Sequence, residues 1–160
     1  MNKTITLILA LLLGTAANAQ TNIDLGGISA DPKAPVEVSA DNLSVDQDSG
    51  TAVFSGNVVI GQGDLRLSAG SVRVVYSDST GDIAQLLLTD GVTLVTDSEA
   101  AEAATADYNL TTGILTLSGS VLLTQGASAL SAEQMTIDLN SGRAQMSGRV
   151  RTVFQQDGNN

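Results

Sequence analysis

One stretch of this sequence comes back. Residues Ala40 to Gly63 return as Ala103 to Gly126 at a constant offset of 63. Phe54-Ser55-Gly56-Asn57-Val58 answers to Leu117-Ser118-Gly119-Ser120-Val121, Gln62-Gly63 to Gln125-Gly126, and Leu67-Ser68-Ala69 to Leu130-Ser131-Ala132. Inside this repeat lies a shorter one. Ala40, Ala69, Ala103 and Ala132 each open a unit, at spacings of 29, 34 and 29. A fixed period of this length marks a chain built by stacking one supersecondary unit, none of which buries its apolar face alone. About four such units fit.

Each unit alternates with period two, the signature of a strand with one face buried. Its first run places Leu43/Val45/Gln47, Val72/Val74/Tyr76, Ala106/Tyr108/Leu110 and Met135/Ile137/Leu139 on one side. A turn follows, ending in Gly50, Gly81, Gly113 or Gly142, where positive φ is expected. The return run places Ala52/Phe54, Leu86/Leu88, Leu115/Leu117 and Ala144/Met146 on the same side. Past a glycine it continues as Val58/Ile60, Val92/Leu94, Val121/Leu123 and Val150/Thr152. A glycine inside a strand marks a bulge or bend. Recurring at one height, it bends the whole stack there. The second unit carries Asp90 where the others have Gly56, Gly119 and Gly148, which puts its bend in question. The expectation is an all-β fold, a β-jelly roll or V-shaped stack of antiparallel strands around an apolar interior. The Ala-rich run 99–106 reads as the strand entering the third unit in preference to a helical turn.

The ends differ from this body. Residues 1–19 read as a secretory signal peptide: Lys3, an apolar run from Ile5 to Leu13, and Ala17-Asn18-Ala19 before the cut. The run is shorter than the ~20 residues that span a bilayer. Residues 20–35 hold both prolines, Pro32 and Pro35, with Gly26-Gly27, and read as a flexible leader. The domain is expected over 36–154 and a polar tail over 155–160.

Composition removes several functions. The chain has no His and no Cys, so it offers neither a Ser-His-Asp triad nor a thiolate nucleophile or cluster. With 7 Lys+Arg against 17 Asp+Glu, its net charge of −10 suits no nucleic-acid backbone. Asp46/Asp48 and Glu99/Glu102 read as solvated surface carboxylates, and 46–50 lacks the closing Glu of a calcium loop. Neither a catalytic site, a metal site nor a cofactor is expected, and the chain reads as no enzyme. What remains is the aliphatic face, which suits acyl chains, each buried methylene contributing about 0.8 kcal/mol. The last strand, near 149–154, has no Pro or Lys guarding its edge against strand addition.

The run Phe54-Ser55-Gly56-Asn57-Val58-Val59-Ile60-Gly61-Gln62-Gly63, with Val38-Ser39-Ala40-Asp41 before it and Leu67-Ser68-Ala69 after, resembles the OstA-like domain family. The run Leu117 to Gly126 resembles that family's second copy, and the likeness extends over 36–154. The resemblance implies a periplasmic β-jelly roll that binds lipopolysaccharide and carries it from the inner to the outer membrane. It implies a conduit driven by an ATPase elsewhere, joined end to end by strand pairing to membrane components and to further copies of itself. Lipid A acyl chains are then expected against the inward face: Leu43, Val45, Phe54, Val58, Ile60, Val72, Val74, Tyr76, Leu86, Leu88, Tyr108, Leu110, Leu115, Leu117, Val121, Met135 and Ile137. Arg66 and Arg73 are the cations best placed to meet a lipid phosphate. The alternative from the residues alone is a structural or adhesive β-solenoid with a closed core.

Overall fold

The computed structural model describes residues 21–24, 28–31 and 33–153. The expected signal peptide and polar tail lie outside these residues. Among the described residues twelve strands form one antiparallel sheet, and no helix occurs. The long strands are β4 (Thr51–Gln62), β5 (Leu65–Tyr76), β6 (Ile83–Val95), β9 (Ile114–Gln125) and β10 (Ser128–Asp138). The short ones are β1 (Thr21–Asp24), β2 (Glu37–Ser39), β3 (Asn42–Asp46), β7 (Glu99–Ala103), β8 (Thr105–Asn109), β11 (Arg143–Ser147) and β12 (Arg151–Val153). The Ala-rich run is therefore strand, interrupted once at Ala104.

The short strands pair with only part of a long one, because every strand is bent or broken at one height. β3 pairs with Thr51 to Ser55 of β4, and β2 with Val59 to Gly61. Likewise β8 and β7 divide β6 and β9 between them, and β11 and β12 divide β10. The sheet is thus two half-sheets sharing five strands, here called the β8 half and the β7 half. The bend is made by consecutive left-handed residues, Gly56-Asn57 (φ 79 and 44), Gly119-Ser120 (84 and 49) and Gly148-Arg149 (78 and 45). Glycine takes the first position because φ > 0 there carries no Cβ penalty. The neighbouring strand closes each gap, as Asp41 N donates to Gly56 O at 2.9 Å and Glu133 N to Gly148 O at 2.9 Å.

The second unit keeps its bend despite Asp90. Asp90 (φ 65) and Gly91 (φ 81) make the same double left-handed step with the glycine in second place. Asp is among the few side chains that tolerate this region. The neighbour that faces it is Gly70, where a Cβ would lie 2.6 Å from the Asp90 Cβ. The glycine missing from the kink has a counterpart on the adjoining strand.

Folding at this line brings the two inward faces together in one core that runs from Ala52 to Met146. It also takes in Ile28 and Ala30. Within the stretch 20–35, expected as a leader, the described residues therefore pair and pack against the body. β1 pairs with β11, Thr21 opposite Met146 and Asp24 opposite Arg143. The apolar pair Ile28 and Ala30 then enters the core, and Ala30 N donates to Leu139 O at 3.2 Å. An open strand edge and an uncovered apolar interior are both unfavourable, and this segment relieves both.

Candidate functional site

The inward residues form rows across the strands. One row in the β8 half runs Leu43–Phe54–Val72–Leu88–Ala106–Leu117–Met135–Met146. The next runs Val45–Ala52–Val74–Leu86–Tyr108–Leu115–Ile137–Ala144. In the β7 half a third runs Val38–Ile60–Leu67–Leu94–Ala101–Leu123–Leu130–Thr152. No row contains a charged residue, and aromatic rings are confined to Phe54 and Tyr108. These are deformable aliphatic walls, whose fit depends on volume more than on directional contacts.

Most of the predicted lipid-facing set lies on these walls. Val58, Ile60, Val72, Val74, Leu86, Leu88, Tyr108, Leu115, Leu117, Val121, Met135 and Ile137 are buried, and Phe54 and Leu110 are partly buried against the core. Three members are exposed instead: Leu43, Val45 and Tyr76. Leu43 and Val45 do stand on the inward rows, but β3 is the outermost strand, and nothing among the described residues faces it. Tyr76 ends β5 beyond a register irregularity, opposite Ile83. Val150 and Thr152, also read as inward, are exposed at the other end of the stack. In this structure the walls bury one another, so the interior is filled by the chain's own side chains.

A polar thread crosses that interior. Tyr108, in the β8 half, donates its hydroxyl to Gln62 Oε1 at 2.5 Å in the β7 half. Gln62 Nε2 in turn donates to the Ala34 carbonyl at 3.2 Å. The two half-sheets and the leader are thus linked through one buried glutamine. Burial pushes the Tyr108 phenol above its ordinary value, against the opposing effect of the Gln62 contact. It remains a neutral donor at physiological pH. Sequence spacing could not show this pair, because its members stand 46 residues apart.

Glu99 corrects the reading of the paired carboxylates. It is 4% exposed, while Glu102 lies at the surface. Its carboxylate accepts from Thr96 Oγ1 at 2.8 Å, Ser98 Oγ at 2.6 Å and Gln125 Nε2 at 3.1 Å. A buried carboxyl is tolerated when its oxygens are hydrogen-bonded in this way. Among the described residues no buried side-chain N or O lacks a hydrogen-bond partner. Asp46 is exposed and Asp138 half-buried, and their carboxylates serve backbone and hydroxyl donors within their turns. Among the described residues no cluster of His, Cys, Asp and Glu has metal-holding geometry. Arg66 donates to the carbonyls of Gly63 and Leu65 at 2.5 and 2.9 Å, beside an open surface pocket of about 470 Å³ with Pro35 and Glu37. Arg73 is exposed on the outer face.

Comparison with known proteins gives these walls a context. A family model described as "LptA/(LptD N-terminal domain) LPS transport protein" matches residues 37–143. An uncharacterized protein of Rhizobium meliloti (strain 1021) is 29% identical over 154 residues, covering 89% of this chain and 83% of that protein. The lipopolysaccharide export system protein LptH of Pseudomonas aeruginosa is 33% identical over 75 residues, 47% of this chain and 42% of LptH. The crystal structure of LptH, described as the LptA-homologous periplasmic component of a lipopolysaccharide transport device, superposes with a TM-score of 0.69. That match is 19% identical and covers 79% of this chain and 99% of LptH, a likeness of fold.

Proposed function

The chain belongs to the LptA/LptD N-terminal-domain family of lipopolysaccharide transport proteins, and from that premise we propose that it binds lipopolysaccharide in the periplasm and carries it between the membranes. One observation supports this most: inward rows without a charge run the whole length of the strand stack, from Leu43 to Met146. Lipid A acyl chains enter between the two half-sheets, and the walls part at the bend to admit them. Each methylene that leaves water contributes about 0.8 kcal/mol, offset by the wall contacts it displaces. The phosphates and sugars stay in solvent at the mouth. The grip has no directional contacts along the rows, so a chain can slide from one strand to the next. Transport along the stack needs such a surface, and an enzyme's fixed constellation is not required.

Both ends of the sheet present strands for pairing. β3 and β2 form one end and β12 lies at the other. Further copies and membrane partners add strands there, extending the rows from one molecule into the next. The filled interior favours a second reading, a structural β-solenoid that never opens. An environment-sensitive fluorescent acyl probe separates the two. The family reading predicts probe binding to the purified chain and its displacement by lipopolysaccharide. A folded chain that takes up no probe and no lipopolysaccharide would leave the closed solenoid.

A further inference from the structure

The leader is anchored at three points. β1 lies along the outer edge of β11, Ala30 N donates to Leu139 O, and the Ala34 carbonyl accepts from Gln62. The leader therefore passes from the last strand of the β8 half to the first long strand of the β7 half. Between the anchors, Ile28 is fully buried in the core. One short segment thus occupies a strand edge and a place in the interior at once.

We propose that β1 is a placeholder, and that the strand it holds the place for is β3 of a second copy of this chain. This rests on the end-to-end reading above. The β11 edge demonstrably accepts an antiparallel strand, because it holds one. β3 and β11 are both five residues long, and among the described residues β3 has no partner on its outer side. If β3 of a second copy takes the register of β1, Leu43 stands opposite Met146 and Val45 opposite Ala144. The exposed ends of the inward rows on one copy then continue the buried ends on the other. The same register puts Asp46 opposite Arg143, the position that Asp24 of β1 now takes. Opposite charges at facing positions support a pairing register. The second half-sheet follows, since β2 of that copy runs antiparallel to β12 when β3 is seated on β11.

Two events are coupled by this arrangement. Lifting β1 from β11 frees the chain four residues before Ile28. The arriving copy thereby loosens the cover over the interior as it docks. Assembly and access to the acyl groove are opened by one displacement, and an isolated molecule keeps its apolar interior covered.

The test compares the chain from Gln20 with one beginning at Gly26, which lacks β1, by sedimentation over a range of concentrations. A cap seated most of the time lowers apparent affinity by the fraction of molecules left uncapped, so its removal tightens self-association about tenfold or more. Adding Leu43→Asp and Val45→Asp to the shortened chain abolishes that gain. A second variant keeps the whole leader. Thr21→Cys with Met146→Cys places two thiols at directly opposed strand positions, about 4.5–5.5 Å between Cα atoms and within disulfide reach. No other thiol competes, because the chain has no Cys. Oxidation suppresses self-association and acyl-probe uptake, and reduction restores both. Unchanged or weaker association on removing β1, in a chain with an unaltered melting curve, would overturn the proposal. So would an oxidised lock that assembles normally. Probe uptake by the shortened chain reports on the lipid reading separately: uptake without tighter association sinks the placeholder alone, and tighter association without uptake sinks the lipid reading alone.

Discussion

The inward rows of the sheet end in opposite conditions at its two edges. At the β3 edge, Leu43 and Val45 are 55% and 62% exposed. At the β11 edge, Met146 and Ala144 of the same two rows are 1% and 3% exposed. Strand period, side-chain type and row are shared, so none of these explains the difference. The leader does: it adds a strand beside β11 and inserts Ile28, while nothing comparable among the described residues covers β3. Alternation determines which face a side chain occupies. What lies across from that face is a separate matter, decided here by a segment more than a hundred residues away in sequence.

The sharpest break of this comparison comes from the middle of a row. Leu117→Ala, fully buried between Ala106 and Met135, lowers unfolding free energy by about 2–5 kcal/mol in denaturant melts. Leu43→Ala, in the same row at the bare edge, changes it by less than about 0.5 kcal/mol. Equal losses at the two positions would mean that β3 is covered in solution. Ile28→Ala comes next, with an expected loss of about 2–3 kcal/mol and faster amide exchange along the β11 edge. Exchange left unchanged there would detach the leader from the difference between the edges. Tyr108→Phe removes the donor to Gln62 Oε1 and leaves a buried acceptor unmet, a loss of about 1–3 kcal/mol. Proteolysis of the leader should accelerate in that variant.

The smallest effect is acid sensitivity of the turns. The Ser49 hydroxyl beside Asp46 and the Ser141 hydroxyl beside Asp138, with backbone amides, hold both carboxyls below the usual range. A carboxyl lowered by folding stabilises fully above its unfolded value, near about 3.9, and that contribution fades as pH falls through the lowered folded value. Asp46→Asn and Asp138→Asn should therefore lower stability slightly at neutral pH and leave it unchanged once both carboxyls are protonated, which flattens the acid limb of the profile below about pH 4. Asp46 belongs to the β3 edge and Asp138 to the strand beside β11, so equal effects are expected at both. An unequal pair would show that leader docking reaches the turns.

Much of the fold was legible because it is repeated. Four units with period-two apolarity and a glycine at constant height give the strands, the bend and the rows from Phe54 to Met135. The second unit shows the limit of reading a position alone: Asp90 stands where a glycine recurs, and Gly91 and Gly70 restore the bend from the two sides. The leader was hidden by its punctuation. Gly26-Gly27, Pro32 and Pro35 spell a loop, and Ile28 with Ala30 is too short a run to register as strand. Its place is set by the unpaired β11 edge, a tertiary fact. Glu99 was misread for a similar reason, since its burial depends on Thr96 and Ser98 meeting it from the turn before β7 and Gln125 from the end of β9. Family membership was legible in Phe54 to Gly63, whereas the covering of the interior was not.

The most direct test of an acyl-carrying interior is photocrosslinking in cells, with a photoreactive residue at Phe54 or Leu117 on an inward row and at Asp46 in an exposed turn. Lipopolysaccharide adducts at Phe54 and Leu117, and none at Asp46, are the predicted result. A folded chain that yields no adduct at the inward positions, or equal adducts at all three, would contradict it.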